Sequence, residues 1–461
     1  MTAGDGLPPP QRWRAVLVIM MGLTVAVLDG SIVNLALPGI ARELNAGASE
    51  TIWVVNAYQI ASLVLLLPLA SLGDRFGYRR VYLVGMALFV LASAAAMMAT
   101  SLTALTWARA LQGLGAAGIM SVNTAMVRLI YPRARLGRGM AINSVVVATS
   151  TMAGPAVAAA ILSVGNWPWL FALNVPLGLF TLWLGRQALP FNPPREHPAA
   201  GLSVLDVLLN TIMFTLVFIG ADQLGGRGES ANVPLGLTLL GAGVLAGGVL
   251  MRRQWHLPAP MFPVDLLRIP VFALSMTASL CAFCAQTLTF VSLPFLLLEV
   301  HGRSHLSAGL LMTAWPLAAV VMAPVVGRLI GRYADGWLGG IGMVVFATGL
   351  LLLAVLPDHP AGWDVAWRMA LCGGGFALFQ TPNNHTIVTS APLHRSGAAS
   401  GSVGTARLTG QSLGAVLLAA IYAVWDQHDG QGETVALLLG AGCALLAGVS
   451  STLRVRVTPP R

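Results

Sequence analysis

The chain contains no lysine; all 26 of its basic residues are arginine. A nucleotide-binding P-loop places a lysine on the β- and γ-phosphates, so ATP is excluded as the energy source. Charge of either sign is scarce: 9% of the 461 residues are charged and 56% are hydrophobic. Soluble domains carry about 25% charged residues, so this balance indicates a polytopic membrane protein. The net charge of +9 then marks basic loops on one membrane face, with no nucleic-acid partner implied. Only four cysteines occur, Cys281, Cys284, Cys372 and Cys443, all in apolar segments. Cys281 and Cys284 sit on successive turns without a second Cys pair or a His to complete a metal site, which reads as packing. The eight histidines fall mostly in loops and form no HExxH pattern. Neither clustered catalytic groups nor a ring of like charges points to a membrane enzyme or a channel. No cofactor or metal is expected. The N-terminal "MTAGDGLPPPQRWR" lacks a small-residue cleavage site, so the apolar run behind it is expected to remain as a helix.

What the chain does have is apolar length. Runs long enough to cross a bilayer fall at about 15–40, 51–72, 79–99, 102–127, 138–163, 169–188, 203–221 and 233–251. Six more follow at about 271–298, 305–330, 337–356, 364–390, 398–424 and 434–453, giving fourteen. With the N-terminus inside, twenty arginines fall in cytoplasmic segments and four outside, leaving Arg109 and Arg407 within spans. A missed helix would scramble that bias, so both termini are expected in the cytoplasm. The proline-rich "RQALPFNPPREHPAAG" (186–201) reads as a connector between bundles. "LASLGDRFGYRR" after the second span and "GRLIGRYADGWLGG" after the tenth suggest two related six-helix halves, with the seventh and eighth spans inserted between them. The expected division is an N-terminal bundle at 1–190, connector and inserted helices at 191–255, and a C-terminal bundle at 256–461.

One residue stands out in the first span. Asp29 lies inside "GLTVAVLDGSIVNLALPGI" (22–40), with Arg14 and Arg42 the nearest basic residues on either side. At about 1.5 Å per residue those ends are roughly 20 Å away, so Asp29 sits near the bilayer midplane. An acid there costs on the order of 3 kcal/mol even on lenient scales, which marks it as functional. Burial raises a carboxyl pKa, so changes in hydration can make such a group take up or release a proton.

The segment Gly73-Asp74-Arg75-Phe76-Gly77-Tyr78-Arg79-Arg80 closely resembles the cytoplasmic loop motif of the major facilitator superfamily. By resemblance, Asp74 is the pivot of a latch between the two halves, Arg75 and Arg79 are its charged partners, and Gly77 permits the tight turn. Ala70 stands where the family usually has Gly, and Tyr78 where it often has Arg. "LDGSIVNLALPGI" (28–40) looks like the first-helix motif of the drug:proton antiporters. "ARALQGLGAAG" (108–118) is similar to their fourth-helix motif, with Arg109 as the intramembrane arginine. "STMAGPAVAAA" (150–160) resembles the antiporter motif centred on Gly154-Pro155. "NWPWLFALNVPLG" (166–178) resembles a stretch of the fourteen-helix branch, the EmrB/QacA-like antiporters, with Pro168 in place of the usual Arg.

The resemblance covers essentially the whole chain and is strongest over 28–180. It implies an all-α major facilitator fold of two six-helix bundles plus two inserted helices in the bacterial inner membrane. The implied activity is proton-driven efflux of drugs or biocides by alternating access. Asp29 is the expected proton-coupling residue, with Arg109 either steering its protonation or bonding backbone carbonyls as a structural group. Arg407 is either a secondary relay or an interhelical contact, and Glu299 is a second relay candidate.

Polar or aromatic residues in central helices are candidates for the substrate cavity. In the first half these are Asn34, Asn56, Tyr58 and Gln112. In the second they are Gln286, Phe290, Trp315, Gln380, Asn383 and Asn384. An aromatic face beside a carboxylate suits an organic cation. No acid occurs in 307–327, where some relatives that export divalent organic cations carry one, so monovalent lipophilic cations or neutral amphiphiles are expected. The same motifs would serve a dedicated exporter of one endogenous metabolite or siderophore-like compound. The expected partners are lipophilic small molecules, protons and membrane lipids, with the protein a monomer.

Overall fold

The apolar runs fold as α-helices, the form in which backbone N–H and C=O groups find partners inside the same segment, as a lipid solvent demands. The computed structural model describes residues 6–46, 51, 53–191, 203–225, 232–257, 260–303, 305–357, 360–425 and 430–457. Most of the 186–201 connector lies outside these residues. No β-strand occurs among them.

The first part of the chain forms α1 (Pro9–Ile32), α2 (Leu37–Glu43), α3 (Trp53–Phe76), α4 (Tyr78–Met97) and α5 (Leu102–Ile130). It continues as α6 (Leu136–Val164), α7 (Pro168–Ala172) and α8 (Asn174–Ala188). Two helices follow, α9 (Val204–Gly225) and α10 (Val233–Gln254). The rest forms α11 (Val264–Leu267), α12 (Pro270–Phe295), α13 (His305–Met312), α14 (Ala314–Leu329), α15 (Asp335–Ala354), α16 (Gly362–Ser390), α17 (Ser396–Val424) and α18 (Gln431–Val457). Among the described residues, ten helical stretches are long and apolar enough to cross a membrane, fewer than the fourteen apolar runs. The apolar part of α9 is limited to Val204–Gly220. Gly, Gln, Asn, Thr and Pro dilute α16, residues that favour contact with other helices over contact with lipid.

Two apolar cores organise the molecule. One joins α1, α3, α4, α5 and α8 around Tyr82, Met86, Phe89 and Ile119, all fully buried. The other joins α12, α14, α15, α16 and α18 around Trp315, Phe346, Phe376 and Phe379. The helix α9 lies on the seam between α3 and α17, with α10 packed against it. Phe214 of α9 packs with Leu63, Val64 and Leu67 of α3, and Leu408 of α17 joins the same cluster. Asn210 Nδ2 donates to the Val64 carbonyl at 2.7 Å, and Arg253 Nε on α10 bonds Asp206 Oδ1 on α9 at 3.0 Å.

The halves are fastened near one end, which carries the 73–80 loop, the arginines at 133, 135 and 138, and the start of α17. There Arg128 Nη1 donates to the Val388 and Ala391 carbonyls at 2.7 and 3.0 Å and to Ser396 Oγ at 2.9 Å. The Thr124 amide donates to Ser400 Oγ at 3.1 Å. Deeper in, Thr381 Oγ1 meets Ser144 Oγ at 3.1 Å. All of these bonds lie in the half of each helix nearest that end.

Candidate functional site

Asp29 is carried by the last turns of α1 into the middle of the first half, where its exposure is 0%. Gln112 follows Arg109 by three residues on α5, so both reach the same point from one helix face. Arg109 Nη1 meets Asp29 Oδ2 at 2.5 Å, and the arginine is equally buried. The other carboxylate oxygen accepts from Gln112 Nε2 at 2.9 Å and from Asn174 Nδ2 at 2.6 Å. Asn174 is presented by a break in the sixth run, where α7 ends and α8 begins. Gln112 Nε2 also reaches Ser93 Oγ of α4 at 2.9 Å. Four helices, α1, α4, α5 and α8, thus join in one hydrogen-bonded network around this acid.

Arg109 is itself positioned from several directions. Its Nε donates to the Val54 carbonyl at 3.0 Å and its Nη1 to Gln112 Oε1 at 2.6 Å. Its guanidinium lies 4.3 Å from the centroid of the Tyr58 ring, and the Tyr58 hydroxyl donates to the Ala26 carbonyl at 2.8 Å. Arg109 thus contacts both a backbone carbonyl and Asp29. Satisfaction is incomplete: Arg109 Nη2 and Asn174 Oδ1 are buried without a hydrogen-bond partner among the described residues. A buried pair of this kind holds mainly while both charges are present, and removing one partner typically costs about 3–5 kcal/mol. Loss of the carboxylate's charge by protonation would therefore weaken the junction of α1 with α5.

The 73–80 segment is a second site. Asp74 Oδ1 accepts from the Tyr78 hydroxyl at 2.7 Å and from the Gly397 amide at 2.8 Å, while Oδ2 accepts from the Ala398 amide at 3.0 Å. The carboxylate of the first half thus caps the N-terminus of α17 in the second, satisfying amides that have no partner inside the helix. Gly77 has φ of +102°, a left-handed conformation that glycine adopts without a Cβ clash. Arg79 departs from the expected arrangement. Its guanidinium donates to the Arg186 carbonyl in the last turn of α8 and to the Leu189 carbonyl just after it, and stacks 4.2 Å from the centroid of Phe191. There it satisfies carbonyls at the C-terminal end of α8 that have no partner inside the helix. Arg75 is half-buried beside the latch and Arg80 is exposed. Asp74→Asn is expected to weaken the cap by about 1–2 kcal/mol, and spin labels at the loop and the start of α17 should report longer distances.

The remaining candidates separate by environment. Gln112 and Tyr58 belong to the Asp29 network, and Asn56 is buried. Trp315 is 3% exposed, packed among Phe290, Phe346 and Phe376, so its ring serves the second core. Asn383 is held by Arg454, Ser275 and Ser279, a buried polar network of the second half. Gln286, Phe290, Gln380, Asn384 and Arg407 are half-buried. Gly154 sits against Ser31 Oγ, where a Cβ would come within 2.0 Å, so α6 and α1 approach closely at the antiporter-like segment. The side chains of Asn34, Pro155 and Glu299 lie outside the described residues. Sequence reading missed Asn174 and the Arg454 network. Asn174 carried the same signal as Asn383, an amide in an apolar run.

Comparison with known proteins agrees with this architecture. Residues 19–415 match the Major Facilitator Superfamily. The chain is 50% identical to the uncharacterized transporter YebQ of Escherichia coli (strain K12), over 99% of this chain and 98% of that protein. It is 32% identical to the tetracenomycin C resistance and export protein of Streptomyces glaucescens, over 89% and 76% of the two chains. The crystal structure of the human organic anion transporter MFSD10 superposes with a TM-score of 0.68, covering 96% of this chain and all of that one, at 16% identity, a likeness of fold alone. The chain is therefore a multi-pass transporter protein that belongs to the Major Facilitator Superfamily.

Proposed function

We propose that this chain is a proton-coupled exporter of lipophilic, amphiphilic compounds, working by alternating access across the bacterial inner membrane. All fourteen apolar runs cross the bilayer in this reading, with both termini and the arginine-rich end in the cytoplasm. The two bundles rock about the latch at Asp74. The observation that carries the reading is the buried junction at Asp29, where one acid holds α1 to α5 and α8 through three side-chain donors. The resistance and export role named for the Streptomyces glaucescens relative supports the efflux direction.

In the cycle, the ion pair of Asp29 with Arg109 belongs to the state fastened at the arginine-rich end. Proton uptake by Asp29 from the opposite side releases Arg109, which remains held by the Val54 carbonyl, Gln112 and the Tyr58 ring. The halves then reopen toward the cytoplasm, where the proton leaves as substrate enters. Asp29 has all three of its donors inside the protein, so substrate acts on it through helix movement.

Proteoliposomes test this directly. Adding an exported dye to protein-containing vesicles should drive proton movement in the opposite direction, abolished in Asp29→Asn. Dye transport unaffected by collapse of the pH gradient would overturn the coupling.

A further inference from the structure

We propose that the space between the two halves contains an anion-binding site centred on Arg407, and that the compounds exported carry a carboxylate or sulfonate head group. This deepens the efflux reading and rests on it. The helix α17 packs closely on α3 from the latch inward: Gly397 faces Ala70 and Asp74, Gly401 faces Ala70 and Leu66, and Gly404 faces Leu66. Arg407 comes on the next turn. Eleven residues beyond Ser396 at about 1.5 Å each put it roughly 16 Å along the helix, near the middle of a ~30 Å hydrocarbon core.

Arg407 is half-buried and makes no hydrogen bond or ion pair with any described residue. Its electrostatic neighbour is Tyr58 of α3, on the other half of the molecule. Five described acids are already paired: Asp29 with Arg109, Asp206 with Arg253, Asp265 with Arg395, Asp335 with His385 and Asp364 with Arg368. A guanidinium left without a counter-charge at this depth is costly against lipid, so it faces water or a ligand.

The neighbouring helices repeat the pattern with neutral groups. Gln411 lies one turn beyond Arg407, Gln380 and Asn384 are one turn apart on α16, and Gln286 is on α12. Each is half-buried and none bonds to a described residue. Unsatisfied amides do not persist against hydrocarbon, so they belong to the space between the halves. A carboxylate or sulfonate accepts two parallel N–H bonds from a guanidinium and further bonds from amide N–H groups. A cationic head group would meet Arg407 as a like charge, and the nearest deep acid is already bound to Arg109. Phe290, half-buried and 4.9 Å from Trp315 between ring centroids, offers apolar surface to the ligand's tail.

The test is equilibrium binding in nanodiscs, without a proton gradient, of two naphthalene amphiphiles that differ only in head group, sulfonate against trimethylammonium. Wild type should bind the sulfonate about ten- to a hundred-fold tighter, as a charge-assisted bond would give. Arg407→Gln should erase that preference, and Arg407→Lys should restore part of it by keeping the charge without the fork. Equal or tighter binding of the ammonium by wild type overturns the proposal, and needs no variant to fold. Sulfonate binding unchanged in a folded Arg407→Gln protein also overturns it. Because no gradient is present, a failure of proton coupling leaves this result standing. Ammonium preference together with proton-driven ammonium export would overturn the head-group assignment and leave the efflux reading intact.

Discussion

Asp29→Asn should fold and exchange substrate downhill, yet fail to accumulate it against a gradient. An asparagine has nearly the shape of a protonated aspartic acid, and the proposed cycle passes through that neutral form. Its amide oxygen still accepts from Gln112 or Asn174, and Arg109 keeps the Val54 carbonyl and the Tyr58 ring. The side chain can no longer take up and release a proton. One pH unit is worth about 1.4 kcal/mol per proton, so a one-for-one exchanger should concentrate substrate about ten-fold per unit. Vesicles with the variant should reach equal concentrations on both sides, while counterflow of labelled against unlabelled substrate persists. Uphill transport by the variant at the wild-type level would remove Asp29 from the coupling step.

Arg109→Ala should be more damaging to the folded state than Asp29→Asn. It leaves a fully buried carboxylate with two amide donors and no counter-charge. Removing one partner of such a pair costs about 3–5 kcal/mol. Loss of the guanidinium stacked on Tyr58 adds up to about 1–2 kcal/mol in a desolvated site. Replacing both residues, Asp29→Asn with Arg109→Gln, removes both charges and should recover most of that stability, since neutral replacements of buried pairs are often nearly harmless. Export should stay absent in the double variant. Thermal unfolding in detergent of wild type, Asp29→Asn, Arg109→Gln and the double variant reads the coupling energy of the pair. A stable Arg109→Ala protein would show that the contact at 2.5 Å contributes little to holding α1 against α5.

The helices and the acid were legible because both are local signals. An apolar run long enough to cross a bilayer must satisfy its backbone internally, and an acid in its middle violates the pattern that defines the run. Asp74 and Gly77 were legible from the family motif, and the left-handed backbone at Gly77 is what that motif requires. Partners were harder to read, because they depend on which faces of distant helices meet. Asn174 reaches Asp29 across 145 positions of sequence, and only the break between α7 and α8 aims it there. Arg79 was assigned to Asp74, five residues away along a loop, yet the carbonyls ending α8 claim it. Asn383 and Trp315 looked like cavity residues by composition, and tertiary packing engaged both inside the second core. Arg407 was the reverse case. Its type and depth were visible in the sequence, but the lack of a hydrogen-bond or ion-pair partner among the described residues was not.

The central claim is that Asp29 changes protonation during the cycle, and infrared difference spectroscopy reads this bond by bond. Protein in lipid should show a protonated carboxyl C=O band that rises on acidification and falls when substrate is added, with the band absent from Asp29→Asn. A wild-type spectrum in which that carboxylate stays ionised at every pH and with every substrate would contradict the account.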